Sequence, residues 1–426
     1  MTPFARDRDG RLCAERVPLI ELAESVGTPC YVYSAGAMRR ALDQFMGALE
    51  AGLEQTPRVC FAMKANGNPA VLRLLASRGA GADVVSAGEL RRARAAGIAP
   101  DRIVFSGAGK TGADLAEAVA SGIHQINVES AGELARVAAE GARRGVRVPV
   151  ALRVNPDVDA GTHDKIATGR AGDKFGVLAD EVPEVMARAA GLAGIAVVGL
   201  AMHIGSHIHS MEAFRRAFTN LASLYTRLQN DGWALGRLDL GGGLGIPYTP
   251  DAPAPDFTAY AAAIADTVGH LGAALTVEPG RCLVANAGGL LTRVVDVKHG
   301  RAKPIVVVDA GMNDLIRPAL YDAYHAIEAV DSAEAAEVTS DVVGPVCESA
   351  DTFARDRPLP RVAPGDHFLI HSAGAYGASM ASMYNGRPLP PEVMVDGDRW
   401  AVVQARIAPA TVAAHQAVPP WLEAGA

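Results

Sequence analysis

From residue 58 to residue 278 the chain repeats one two-part pattern. A short apolar run rich in Val and Ile is followed by an Ala/Leu/Glu/Arg stretch whose apolar positions recur every three to four residues. The runs are RVCFAM (58–63), ADVV (82–85), RIVF (102–105), QINV (125–128), VALRV (150–154), VVGLAMHI (197–204), LDL (238–240) and LTVE (275–278). Such runs read as strands, and intervening segments such as SAGELRRARAAG and ESAGELARVAAEGARRG read as amphipathic helices. A strand followed by a helix or long loop, repeated through eight units, predicts an α/β fold closed into a TIM-like (β/α)8 barrel. An open doubly wound sheet is the alternative, because two of the runs are short.

Past about Arg281 the rhythm changes. LLTRVVDVKHG, KPIVVVDAG, DHFLIHSAGAY and RWAVVQAR are strand-like but lack regular helices between them. They predict a mostly β C-terminal domain that also takes N-terminal strands. Near the start, PCYVYS reads as a strand and a helical stretch runs from about Ala35 to Leu53. The expected division is residues 31–280 for the barrel and residues 1–30 with 281–426 for the β domain.

Composition narrows the class. A chain of 426 residues, 49% hydrophobic and 20% charged, can bury two cores and is not disordered. A net charge of -7 argues against non-specific nucleic-acid binding, although a local basic pocket for a small anion is compatible with it. Cys13, Cys30, Cys60, Cys282 and Cys347 have neither metal-site spacing nor the look of a disulfide framework. The first residues lack the apolar core of a signal peptide, and no apolar stretch approaches membrane-spanning length. The expectation is a cytoplasmic protein with no nucleic-acid or membrane partner.

Candidate chemistry collects where the predicted strands end. Lys64 follows the first strand; Asp83 lies in the second, with Ser86 just after it; Arg153 belongs to the fifth, and Asn155 follows. His203 and Ser206 close the sixth in HIGSH, GGGLG follows the seventh, and EPGR delivers Glu278 and Arg281 after the eighth. Gly241, Gly242 and Gly243 remove side chains so that backbone N–H groups can close on an anion, and Arg281 and Ser206 add donors there. The ends of strands seven and eight are the usual phosphate position in such barrels. A phosphate-bearing cofactor that requires a lysine is pyridoxal 5'-phosphate, held on Lys64 as a Schiff base. Glu278 is then placed to keep the ring nitrogen protonated, and His203 to lie flat on the ring. A sugar-phosphate site with Lys64 as an acid–base or aldolase lysine uses the same parts but leaves Glu278 unexplained. A dinucleotide site is weaker, since GGGLG lacks the G-x-G-x-x-G spacing.

Three tracts of the β domain also carry candidates. DAGMNDLIRPALYDAYH (309–325) sets Arg317 and Tyr321 four apart, suited to clamping a substrate carboxylate. GPVCESAD (344–351) sets Cys347, a core thiol or a proton donor, beside Glu348, which could meet a substrate ammonium. HSAGAYGASM places Tyr376 in a glycine-rich loop able to approach a ligand oxygen.

FAMKAN, HIGS, GGGLG, EPGR, DAGMNDLIRPALYDAYH, GPVCESAD and GAY, in this order across nearly the whole chain, resemble the group IV pyridoxal-phosphate decarboxylases with an alanine-racemase-like (fold-type III) barrel. The long DAGMNDLIRP tract resembles the diaminopimelate decarboxylase branch more than the ornithine, arginine, lysine or carboxynorspermidine enzymes. The resemblance implies decarboxylation of meso-2,6-diaminopimelate to L-lysine and carbon dioxide, the last step of lysine biosynthesis. It implies that Lys64 carries the cofactor, that His203 stacks on it and that Glu278 pairs with its ring nitrogen. Ser206, Gly241–Gly243, Arg281 and Tyr376 would hold the phosphate, while Asp83 and Arg153 support the surroundings of Lys64 and His203. Arg281, Arg317 and Tyr321 would take the substrate's far carboxylate, and Glu348 its distal amine. Cys347 would come from the neighbouring chain of a head-to-tail homodimer and protonate the product carbon.

Three departures stand out. The family commonly has Gln where this chain has His207. Asp164-Lys165 replace a Pro and an aromatic residue within GTHDKIATGRAGDKFG, and SMYNGRPLPPEV is looser than the usual ending. A racemase would share cofactor and barrel but would use a tyrosine base in place of the Cys347-Glu348 pair. A non-catalytic homologue should have lost Lys64 or Cys347.

Overall fold

The computed structural model describes residues 3–159, 161, 168–169, 172–249, 251–299, 302–330 and 336–423. The chain divides into two compact units, Ala37–Ala285 and a second built from Met1–Gly36 with Asn286–Ala426.

The first unit is the barrel. Its strands are β1 (Arg58–Ala62), β2 (Gly81–Val84), β3 (Ile103–Phe105), β4 (Gln125–Val128), β5 (Val148–Asn155), β6 (Ile195–Ala201), β7 (Arg237–Asp239) and β8 (Ala274–Val277). Each pairs in parallel with the next, and β8 returns to β1 through Thr276 opposite Arg58. The closed parallel barrel is therefore present, and the open-sheet alternative falls. These strands are buried on both faces, so they read as nearly unbroken apolar runs.

Local chemistry stops and starts the helices between them. Ser86, Ser130 and Ser210 each accept a hydrogen bond from the amide three residues on, and Thr111 with Asp114 forms a reciprocal cap. Gly122 and Gly145 end helices in the left-handed conformation. Between β6 and β7 the strands approach so closely that a Cβ on Gly199 would lie 2.0 Å from the Arg237 carbonyl oxygen.

In the second unit, the strand Gly288–Lys298 pairs antiparallel with Ile305–Val308, His367–Ile370 and Cys30–Ser34. The sheet extends through Glu337–Val343 to Thr352–Pro360 on one side and through Glu392–Asp396 to Arg399–Gln404 on the other. The strand Cys30–Ser34, which straddles the expected boundary at 30/31, thus belongs to this sheet. A hairpin sheet of Phe4–Arg6, Leu12–Ala14 and Val17–Pro18 packs Phe4, Leu12 and Val17 against Val32, Leu291, Leu369 and Val393. Among the described residues, no helix is long and apolar enough to cross a membrane.

Candidate active site

Because all eight barrel strands run parallel, their C-terminal ends share one face, and most of the polar candidates of the barrel gather there. Strand β1 stops at Ala62, and a 3-10 turn, Met63–Ala65, lifts Lys64 off the strand. Lys64 Nζ lies 2.7 Å from Asp83 Oδ2 on the neighbouring β2; the lysine is 35% exposed and the aspartate fully buried. A cation partly open to solvent is thus held over a buried carboxylate. Oδ1 of Asp83 accepts no hydrogen bond among the described residues.

The barrel interior beneath is unusually polar. Asp239, the last residue of β7, neighbours Glu278, just past β8. Asn127 donates to Asp239 at 2.9 Å and to Ser106 at 3.1 Å, and Ser106 donates to Glu278 at 3.3 Å. Burial, then the neighbouring Asp239 and Asp83 carboxylates, push the Glu278 carboxyl well above the usual range; burial pushes Asp239 up to about 6. Neighbouring carboxyls in a dry site resist carrying two negative charges until a cation arrives. A protonated ring nitrogen is a cation of that kind.

His203, two residues past β6, has its Nδ1 3.2 Å from the Gly242 amide, and Thr168 donates to its carbonyl oxygen at 2.9 Å. Burial, then the charges of Lys64 and Arg153, push the imidazole well below its ordinary pKa, so it is neutral. Arg153, at the end of β5, is paired with Glu129 at 2.7 Å and stacks on Phe175 at 4.7 Å.

The glycine tract sits where β7 and β8 nearly touch. Gly241 and Gly243 have φ of +66° and +116°, and a Cβ on Gly242 would fall 2.0 Å from the Glu278 carbonyl oxygen. Only glycine fits this backbone. Arg281, beyond the tract, donates to Ser206 Oγ at 2.9 Å and to the Tyr248 hydroxyl at 2.5 Å. The guanidinium, two hydroxyls and the glycine backbone form a donor set suited to phosphate. His207, the departure beside Ser206, has φ of 66° and packs its ring edge-on against Tyr248 at 5.1 Å. Asp164 and Lys165 lie outside the described residues.

The sheet unit carries its own cluster. Arg317 opens a five-residue helix, Arg317–Tyr321, with Pro318 in its first turn, so Tyr321 lies one turn on. Arg317 is buried, and its Nη1 lies 3.1 Å from His325 Nε2. Asp351 organises the loop that holds Cys347: Oδ1 accepts from the Met312 amide and Oδ2 from the Val346 amide, both at 2.6 Å. Cys347 is exposed, and its amide donates to Asn385 Oδ1 at 3.0 Å. The Tyr384 hydroxyl donates to Glu348 Oε1 at 2.5 Å. Tyr376 has φ of 55°, uncommon for a non-glycine residue, and follows Ser372 at φ 57° in the same loop.

Asp239, Asn127, Ser106, Glu129, Tyr248, His325, Tyr384 and Asn385 escaped the sequence reading. Asp239 and Asn127 sit inside strand runs and Glu129 opens a helical one, where a lone polar residue gives no periodic signal. Tyr384 and Asn385 lie in the SMYNGRP turn, which has no periodic signal either.

The family model described as "Pyridoxal-dependent decarboxylase, pyridoxal binding domain" matches residues 36–285. The chain is 46% identical over 407 residues to a diaminopimelate decarboxylase from Zymomonas mobilis, covering 95% of this chain and 96% of that one. It is 48% identical over 399 residues to one from Pseudomonas aeruginosa, covering 94% and 95% respectively. Among solved structures it is similar to diaminopimelate decarboxylase from M. jannaschii in co-complex with L-lysine, with TM-score 0.92, 36% identity and coverage of 99% and 100%. It is also similar to the Helicobacter pylori enzyme complexed with L-lysine, with TM-score 0.88, 38% identity and coverage of 92% and 98%. With identity at this level along almost its full length, the chain belongs to the diaminopimelate decarboxylase family of pyridoxal-dependent decarboxylases.

Proposed function

We propose that this chain decarboxylates meso-2,6-diaminopimelate at its D-configured centre, releasing carbon dioxide and L-lysine as the last step of lysine biosynthesis. The observation that carries the reading is the convergence of Lys64, Glu278, His203 and Arg281 on one end of the barrel, in a chain of this family.

The residues fit pyridoxal 5'-phosphate. The cofactor's phosphate matches the Arg281, Ser206 and Gly241–Gly243 donors. Its ring nitrogen matches the buried Glu278 carboxyl, and Lys64 is the amine that can carry it covalently. When bound, the cofactor supplies an electron sink that stabilises the carbanion left by loss of carbon dioxide.

The chain's own residues do the rest. Asp83 holds the Lys64 ammonium in place before reaction. Glu278 keeps the proton on the ring nitrogen that makes the sink effective, and the neutral His203 ring offers a flat, uncharged face. Arg153, tied to Glu129, steadies the adjacent strand end. Arg281, Arg317 and Tyr321 bind the substrate carboxylate that is not lost, and Glu348 takes the distal ammonium. Cys347 Sγ delivers a proton to the carbon that has lost its carboxylate. A cytoplasmic homodimer with active sites shared between its chains belongs to the same reading.

The test is direct. Purified protein with pyridoxal phosphate should release carbon dioxide from meso-diaminopimelate and form lysine, and should leave lysine, ornithine and arginine unchanged. After borohydride reduction the cofactor label should sit on Lys64 by peptide mapping. A label elsewhere, or a different amine as product, overturns the reading.

A further inference from the structure

We propose that His325 is a positioning residue for substrate recognition: locked in its Nδ1–H tautomer, it offers Nε2 as an acceptor that aims the Arg317 guanidinium. The inference rests on the reading that Arg317 binds the retained substrate carboxylate, and it adds what orients that arginine.

Both nitrogens of the buried His325 ring are committed. Nδ1 lies 2.8 Å from the carbonyl oxygen of His371, and Nε2 lies 3.1 Å from Arg317 Nη1. A carbonyl oxygen only accepts and a guanidinium only donates, so the two contacts together dictate the proton's place. It is on Nδ1, and Nε2 carries a lone pair. The ring is neutral in this arrangement, and no other protonation state satisfies both neighbours.

The backbone around the ring is held as firmly. The Arg317–Tyr321 helix ends at Asp322, whose φ of 50° turns the chain and brings His325 back towards Arg317, eight residues on. Arg357 donates to the His325 carbonyl oxygen at 2.9 Å and stacks on Tyr324 at 4.0 Å. The His371 amide donates to the Ala326 carbonyl oxygen at 2.8 Å, so the residue that fixes the ring also fixes the next peptide. Outside this platform, His371 Nε2 meets Glu328 at 3.0 Å. An arginine fork recognises a carboxylate only in the correct plane, so an acceptor that pins one Nη restricts its rotation before substrate arrives.

The experiment measures ligand binding to the cofactor-loaded enzyme, with L-lysine as a carboxylate-bearing probe and 1,5-diaminopentane as a probe without one. His325→Leu should weaken L-lysine about tenfold, the scale of one charge-assisted hydrogen bond, and leave 1,5-diaminopentane within about twofold. His325→Gln, whose side-chain oxygen can reach the Nε2 position, should restore most of the L-lysine affinity. If His325→Leu does not fold, His325→Asn withdraws the acceptor from Arg317 and carries the same expectation. Equal losses for both probes, or no loss for either, overturn the proposal. Arg317→Ala separates the underlying reading: unchanged L-lysine binding there refutes the carboxylate clamp itself. Loss in Arg317→Ala without loss in His325→Leu refutes only the role of His325. Histidine-selective 15N NMR adds a readout independent of ligand, since a proton found on Nε2 of His325 would contradict the tautomer.

Discussion

The backbone amide of Gly242 donates to Nδ1 of His203 across 3.2 Å. An amide cannot accept, so Nδ1 is unprotonated and the neutral ring carries its proton on Nε2. The glycine loop after β7 therefore sets the plane of the imidazole. His203→Asn keeps an acceptor close to the Nδ1 position but deletes the ring face. Cofactor affinity, measured by fluorescence titration, should drop about tenfold, the worth of one aromatic stacking contact. The melting temperature should move little. Affinity unchanged from wild type would remove His203 from the ring-stacking role.

Glu278 and Asp239 make a stronger case for function over stability. Burial and like charge push Glu278 well above the ordinary carboxylate range, so in the cofactor-free protein this pair is a cost to the fold. Glu278→Gln keeps an acceptor for Ser106 and removes one ionisable group. Its urea midpoint without cofactor should equal or exceed that of wild type. Turnover should fall by about 100-fold or more, as expected when a preorganised charge at the reacting centre is lost. A parallel loss of stability and turnover would mean that the carboxyl serves the fold.

Asp351 accepts from two amides that have no other acceptor among the described residues, those of Met312 and Val346. It is 4% exposed, and a Cβ on Gly344 would lie 2.4 Å from its Oδ2. Asp351→Ala should cost about 2–4 kcal/mol of unfolding free energy, for two buried donors left unpaired. It should also displace Cys347 and lower kcat. Asp351→Asn, with a single acceptor oxygen, should fall between the two. Denaturant melts and steady-state rates on the same preparations check both halves.

Tyr384 and Asn385 separate binding from proton delivery. Tyr384→Phe deletes the hydroxyl that orients Glu348 at an exposed site, so stability should change by less than about 1 kcal/mol. KM for diaminopimelate should rise severalfold with kcat nearly constant. Asn385 has φ of 55° and its side chain fixes the Cys347 amide. Asn385→Gly retains the left-handed backbone while removing that acceptor, and should lower kcat more than it raises KM. The opposite split in either variant would reverse the roles assigned to Glu348 and Cys347.

The barrel was legible because its signal is local. Each of the eight apolar runs coincides with a barrel strand to within a few residues, and Lys64, Ser206, Gly241–Gly243, Glu278 and Arg281 stood out by following strand ends. Their partners were less visible. Glu129 reaches Arg153 over 24 positions and Tyr248 reaches Arg281 over 33. Tyr384 reaches Glu348 over 36, and Asn385 reaches Cys347 over 38. Nothing in a window of ten or fifteen residues couples such pairs.

The amino-acid sequence alone determined the alternation of strand and helix, the change of architecture after the barrel and the identity of the groups able to do chemistry. Periodicity and residue type control these through nearest neighbours along the chain. Tertiary structure decided that the buried Glu278 carboxyl is set beside the Asp239 and Asp83 carboxylates, that His203 and His325 each carry their proton on one particular nitrogen, and that Asp351 ties two distant loops together. Those states depend on which donor or acceptor meets each group once water is excluded, and chain closure in three dimensions makes that choice.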